Sequence, residues 1–302
     1  EAGPWEAMSV AAPDCEYGGQ FKSMEAVDEL TVKFTLCASD VAFPAKVAFA
    51  AFPVIDSGYL ESTGGGAQLV ESPVGTGPYE FVEWRRGDQI IFKRNENYWG
   101  TPAIAENLVF RWSAESAQRL VELQSGTVDG IDNIGPDDFA VVEGDPNLQL
   151  QGRSGTNVFY LGMNNTYPPF DNERVRQAFA MGIDRQRLID NFYPPGSSLA
   201  TQFMPPGIFG YTEGASWYEY NPEEAIKILE EEGVLPGFKT TITYRDVVRG
   251  YLPNPGVVAQ DIQAQLADLG VEVEIVVMES GSYLDATDLG EVDGFHMLGW
   301  GA

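Results

Sequence analysis

The chain has 302 residues, 44% hydrophobic and 21% charged, a globular composition that excludes a disordered polymer. Eighteen Lys and Arg face 45 Asp and Glu, giving a formal net charge of −27. Nucleic acid and anionic lipid are therefore poor partners, since both need clustered cations, and no apolar run approaches the roughly 18 residues that would span a bilayer.

Residues 21–27 and 30–36 alternate apolar and polar side chains around Asp28-Glu29, which predicts a β-hairpin. Residues 38–72 read as loop, with a glycine run at 64–66. A second hairpin is expected at 79–94, across Arg85-Arg86-Gly87-Asp88, and another strand at 107–112. Ser113 opens a predicted helix with Ala117, Leu120, Val121 and Leu123 on its apolar side, and Gly126 ends it. A short helix near 136–143 and strands at 148–151 and 157–164 follow.

Asn172 or Asp171 caps a helix over 173–182, and Asp184 caps one over 185–192. Asn221-Pro222-Glu223-Glu224 combines a cap, a first-turn proline and acids that complement the helix dipole, with Gly233 as the stop. Strands at 240–245, 271–278 and 294–300 are separated by helices at 256–269 and 282–289. The second half thus alternates helix and strand as an α/β layer, whereas the first half is hairpin-rich and mixed α+β. The change of pattern near 160–165 is the expected domain boundary, giving units 1–160 and 161–302.

Little in the sequence points to catalysis or metal binding. Cys15 and Cys37 flank the first hairpin and are compatible with either a disulfide or two buried thiols. There is no Cys/His cluster, and the acids of 128–138 miss the alternation of a calcium loop, so neither metal nor cofactor is expected. His296, the single histidine, lies inside an apolar strand and suits a core or pocket wall better than a catalytic base. Arg245 and Arg249 are scarce cations at the carboxyl end of the 240–245 strand, where open α/β sheets bind ligands. A guanidinium there can hold a carboxylate by two parallel hydrogen bonds, and a plain surface ion pair is the alternative.

Several segments, in order, carry a resemblance: SPVGTGPYEFVEW (72–84), RNENYWG (94–100), RLVELQSGTVD (119–129), PPFDNERVRQAFAMGIDRQRLI (168–189) and NPEEAIKILEEEG (221–233). With MPP and GY within 204–211, the region 249–276 and the GW at 299–300, the chain resembles the family 5 extracellular solute-binding proteins, peptide-binding receptors of ABC importers. The resemblance implies a two-lobed, type II-like periplasmic-binding-protein fold of α/β class that closes on its ligand at a hinge near 160–165. It also implies delivery to a membrane permease, a monomer in the periplasm or at the cell surface, compatibility with a lipid anchor, and no enzymatic activity. Family members are longer, so both lobes are expected to be incomplete here, the first over 1–160 and the second over 161–302.

Two functions transfer by position. Dipeptide binders pair the peptide carboxylate with an Arg in an R-x-Y-x-P-N pattern; Arg249-Gly250-Tyr251-Leu252-Pro253-Asn254 matches, which makes Arg249 the expected anchor and Tyr251 a pocket residue. Gly299, Trp300, Gly301 and Ala302 match the start of a GW-x-x-D motif whose backbone pairs with extended peptide and whose Asp binds the amine. Ser280 follows Glu279 where some peptide receptors have Trp, and Thr287 and Met297 stand where certain oligopeptide binders have Arg. These departures weaken the case for longer peptides. An oligosaccharide receptor on the same fold is the second expectation, and a secreted hydrolase using two carboxylates a distant third.

Overall fold

In the computed structural model, which describes residues 5–135, 138–153, 155–215 and 217–301, regular structure follows the sequence pattern most closely in the second half. The chain divides into two compact units, one ending at Trp112 and the other starting at Ser113.

In the first unit, β1 (Ser9–Ala11), β2 (Phe21–Asp28) and β3 (Thr31–Leu36) form an antiparallel sheet in that order, with the expected hairpin between β2 and β3. Cys15 and Cys37 form a disulfide, their Cα atoms 5.5 Å apart, so the oxidised reading holds. Phe21, Phe34 and Phe43 gather on this sheet with ring centroids 5.5–5.9 Å apart. The stretch read as loop holds three short helices: α1 (Phe43–Val47), α2 (Ser57–Thr63) and α3 (Gln68–Glu71). Helices this short show too little 3.6-residue periodicity to be recognised in a sequence. Asp56 caps α2 by accepting from the Tyr59 amide. The second hairpin, β4 (Tyr79–Arg85) and β5 (Gln89–Arg94), is extended by β6 (Asn107–Arg111) into another antiparallel sheet.

The second unit begins with α4 (Ser116–Gln124) and α5 (Phe139–Gly144); Pro136 and Asp137, at the expected start of that short helix, lie outside the described residues. No strand forms at 148–151. The Leu148 amide instead closes a turn on the Asp145 carbonyl, and Leu150 stays 37% exposed, so the alternation there meets no partner strand. Then come β7 (Asn157–Met163), α6 (Glu173–Gly182), α7 (Arg185–Phe192), α8 (Pro222–Glu231), β8 (Lys239–Arg245), α9 (Pro255–Asp268), β9 (Glu272–Met278), α10 (Ser280–Asp288) and β10 (Phe295–Gly301). The expected caps are in place: Asn172, Asp184 and Asn221 accept from the amides of Arg174, Arg187 and Glu224.

The four strands make one sheet in the order β7-β10-β8-β9. β8 pairs in parallel with β9 over its whole length, from Lys239↔Glu272 to Arg245↔Met278. β10 runs antiparallel to β7, from Phe295↔Met163 to Gly301↔Asn157, which places β7 within the second unit. β10 joins β8 in parallel only at Phe295↔Ile242 and His296↔Thr243. The two strands part after His296, and their carboxyl ends open a notch. Phe295, Met297, Ile242 and Tyr244 are buried in one core with residues of α6, α8 and α9, including Phe179, Leu229, Ile262 and Leu266. This is a mixed α/β architecture.

Candidate functional site

Arg249 and Leu252 bracket a tight turn through reciprocal backbone hydrogen bonds of 3.2 and 2.9 Å, with Gly250 and Tyr251 at its corner. The turn projects from the carboxyl end of β8 into the notch. The Tyr251 ring lies on Gly299, so close that a Cβ at Gly299 would come within 2.6 Å of the ring's Cγ. Tyr251 is tied from behind, its carbonyl accepting from Tyr193 Oη at 3.0 Å. Asn157, opposite Gly301 in the β7–β10 register, has its amide nitrogen 3.2 Å from where a Cβ of Gly250 would stand. Tyr251, Gly299 and Gly301 therefore meet around the turn that carries Arg249.

Arg249 is exposed, and its Nη1 donates only to the neighbouring Val248 carbonyl, at 3.0 Å. It makes no ion pair among the described residues, in a chain rich in acids. Trp300 does not join the Tyr251 group. Strand alternation puts Phe295, Met297 and Gly299 on the core face and His296, Leu298 and Trp300 on the other. Trp300 is 55% exposed, and its Nε1 donates to Tyr160 Oη at 3.1 Å. Ala302 lies outside the described residues.

Sequence reasoning missed Tyr160, whose ring also packs against Phe203 and edge-on against His296 at about 6 Å. The available signal was Gly162 inside the strand expected at 157–164. Such a glycine marks close approach, and here the His296 ring lies directly over it. His296 is half-buried, and its Nδ1 has no protein partner among the described residues. It forms a wall of the site's second face. Burial holds its pKa below the ordinary 6.5, since the charged form is poorly solvated there. The folded state thus binds fewer protons at this site than the unfolded chain. Stability is full above about pH 6.5 and falls as the pH drops towards the folded value. Thermal unfolding should show a Tm that falls as the pH drops below about 6.5, a fall that His296→Gln largely removes; an unchanged slope in the variant refutes this assignment.

Exposed groups gathered at strand ends suit the reversible holding of a solute, and likeness to known proteins places the chain among solute-binding proteins with the periplasmic-binding-protein architecture. The chain belongs to the bacterial extracellular solute-binding proteins, family 5: the profile described as family 5 Middle matches residues 4–302. It is 34% identical over 282 residues to di/tripeptide-binding protein 1 of Pseudomonas aeruginosa, covering 92% of this chain and 52% of that protein. Heme-binding protein A of Haemophilus influenzae is 33% identical over 282 residues, covering 92% and 51%. The periplasmic binding protein DppA of Helicobacter pylori, solved in complex with the peptide STSA, superposes with a TM-score of 0.82 at 32% identity, over 94% of this chain and 55% of that one. The chain spans about half the length of the curated relatives it matches. The family and these relatives are binding proteins rather than enzymes. No helix among the described residues is long and apolar enough to cross a membrane.

Proposed function

We propose that this protein is an extracytoplasmic receptor that binds short peptides and hands them, chemically unchanged, to the membrane permease of an ABC importer. The observation that carries the proposal is Arg249: an exposed guanidinium, free of carboxylates, on the turn that seats Tyr251 upon Gly299. Its role is to take the peptide carboxylate by paired charge-assisted hydrogen bonds, with Tyr251 as the apolar floor. Beyond His296, the edge of β10 that faces β8 has no strand partner among the described residues. An extended peptide can add there along Leu298–Gly301, where main-chain hydrogen bonds bind without regard to side chains.

The relative named for di- and tripeptides and the STSA complex support a peptide ligand. On this reading the whole protein acts as a monomer in the periplasm or lipid-anchored at the cell surface. Isothermal titration of a dipeptide into the full-length protein tests the reading. Arg249→Ala should weaken binding by roughly 10- to 100-fold, the worth of a charged hydrogen-bonded pair. Undiminished affinity removes Arg249 from the role. Stabilisation by an oligosaccharide with indifference to peptides selects a sugar receptor, and release of a hydrolysis product selects an enzyme.

A further inference from the structure

We propose that Arg245 and Ser280 form a second anion-binding position, which takes the acidic side chain of a bound peptide. This rests on the peptide reading above and adds a ligand preference to it.

Arg245 is the last residue of β8, and alternation puts it on the face opposite the core residues Ile242 and Tyr244. Its guanidinium is half-buried. Nη1 donates to Ser280 Oγ, at the first residue of α10, at 2.9 Å. Nη2 approaches Tyr251 Oη at 3.5 Å, a long contact that fixes the position of the group more than it satisfies it. Both acceptors are neutral hydroxyls. A guanidinium presents five N–H donors in a planar fork, so most of Arg245's capacity is unspent.

This state is unusual in the chain. Arg85, Arg86, Arg94, Arg153, Arg174 and Arg187 all sit in ion pairs. Arg119, Arg176 and Arg185 spend their donors on backbone carbonyls. Arg245 does neither, although Asp246 follows it in sequence and Glu279 precedes its partner Ser280. Glu279 is occupied elsewhere: its carboxylate caps α10 by accepting from the Ser282 amide and hydroxyl. Asp246 makes no ion pair with it.

A cation kept partly out of water, free of carboxylates and oriented by two hydroxyls is arranged for an anion that arrives from outside. In a chain of net charge −27 it also offsets the repulsion an acidic ligand would meet. Tyr251 links this position to the first one. Its backbone forms the corner of the Arg249 turn while its hydroxyl neighbours Arg245, so the two cations flank one tyrosine, and on this proposal the peptide carboxylate lies at Arg249 and an acidic side chain at Arg245.

Calorimetry on the full-length protein with Ala-Ala, Ala-Glu and Glu-Ala tests the assignment. Arg245→Gln should weaken one of the glutamyl peptides by about 10- to 100-fold while leaving Ala-Ala unchanged. Arg245→Lys should retain part of the glutamyl affinity, and thermal unfolding of both variants checks that they remain folded. Equal losses for all three peptides, or no loss for any, overturn the proposal while leaving the peptide receptor intact. Failure of the wild type to bind any of the three overturns the peptide reading itself, and this inference with it.

Discussion

Gly299→Ala is expected to unseat Tyr251, destabilise the protein by about 1–3 kcal/mol and weaken peptide binding at least tenfold. A methyl group at this position would lie 2.5 Å from the Val158 carbonyl oxygen and 2.6 Å from Cγ of the Tyr251 ring. Neither neighbour can yield freely. Val158 is locked in β7 by its pairing with β10, and Tyr251 is held by the Arg249–Leu252 turn and by Tyr193 Oη. The strain must therefore move the turn, which carries Arg249. Tm and dipeptide titration of the same variant read both consequences. Tyr251→Ala in the Gly299→Ala background removes one of the two clashes and should recover part of the lost stability, a coupling that a double-mutant cycle isolates. If Gly299→Ala matches the wild type in both Tm and affinity, the Tyr251 ring does not rest on Gly299.

This dependence explains why part of the site was legible in the sequence and part was not. Helix starts such as Asn221-Pro222-Glu223-Glu224 are local chemistry, because the cap, the proline and the acids act within one turn, and the structure keeps them. β8, β9 and β10 announce themselves by apolar runs between helices, and the R-x-Y-x-P-N match marked the turn that carries Arg249 and Tyr251. The notch is a different kind of fact. It exists because β10 leaves β8 after two residue pairs, and nothing in the sequence of either strand says where pairing stops. Arg245 illustrates the same limit. It was visible as a scarce cation, but its lack of a carboxylate partner depends on Glu279 capping α10, a tertiary choice between two uses of one side chain. Trp300 was grouped with Gly299 by the match to a GW-x-x-D motif, and alternation along β10 sends its side chain to the other face, beside Tyr160. The alternating residues at 148–151 misled because alternation is necessary for a half-buried strand and does not by itself provide a partner.

Phe295→Ala should produce the largest loss of stability of any change considered, about 3–5 kcal/mol. Phe295 is fully buried where β10 enters the sheet, and its ring meets Phe170 at 4.9 Å and Phe179 at 5.1 Å in edge-to-face geometry. Phe238 completes the cluster against Phe170 and Phe179. Four segments supply these rings: β10, α6 and the stretches leading into α6 and into β8. A cavity left by Phe295 is therefore poorly placed to collapse, and the cost should lie at the upper end of the range. Phe295→Leu keeps most of the volume and should recover much of the loss. Phe34, in the first unit, is a useful contrast: it belongs to an aromatic group of similar geometry but is 42% exposed, so Phe34→Ala should cost clearly less. Denaturant unfolding of the three variants ranks them, and a Phe295→Ala protein as stable as Phe34→Ala would contradict the core described for the second unit. The same variant separates folding from recognition. Phe295 anchors the amino end of β10, while Gly299–Gly301 present the other end to ligand. At a temperature where Phe295→Ala is still folded, its dipeptide affinity should thus stay within a few-fold of wild type, unlike that of Gly299→Ala.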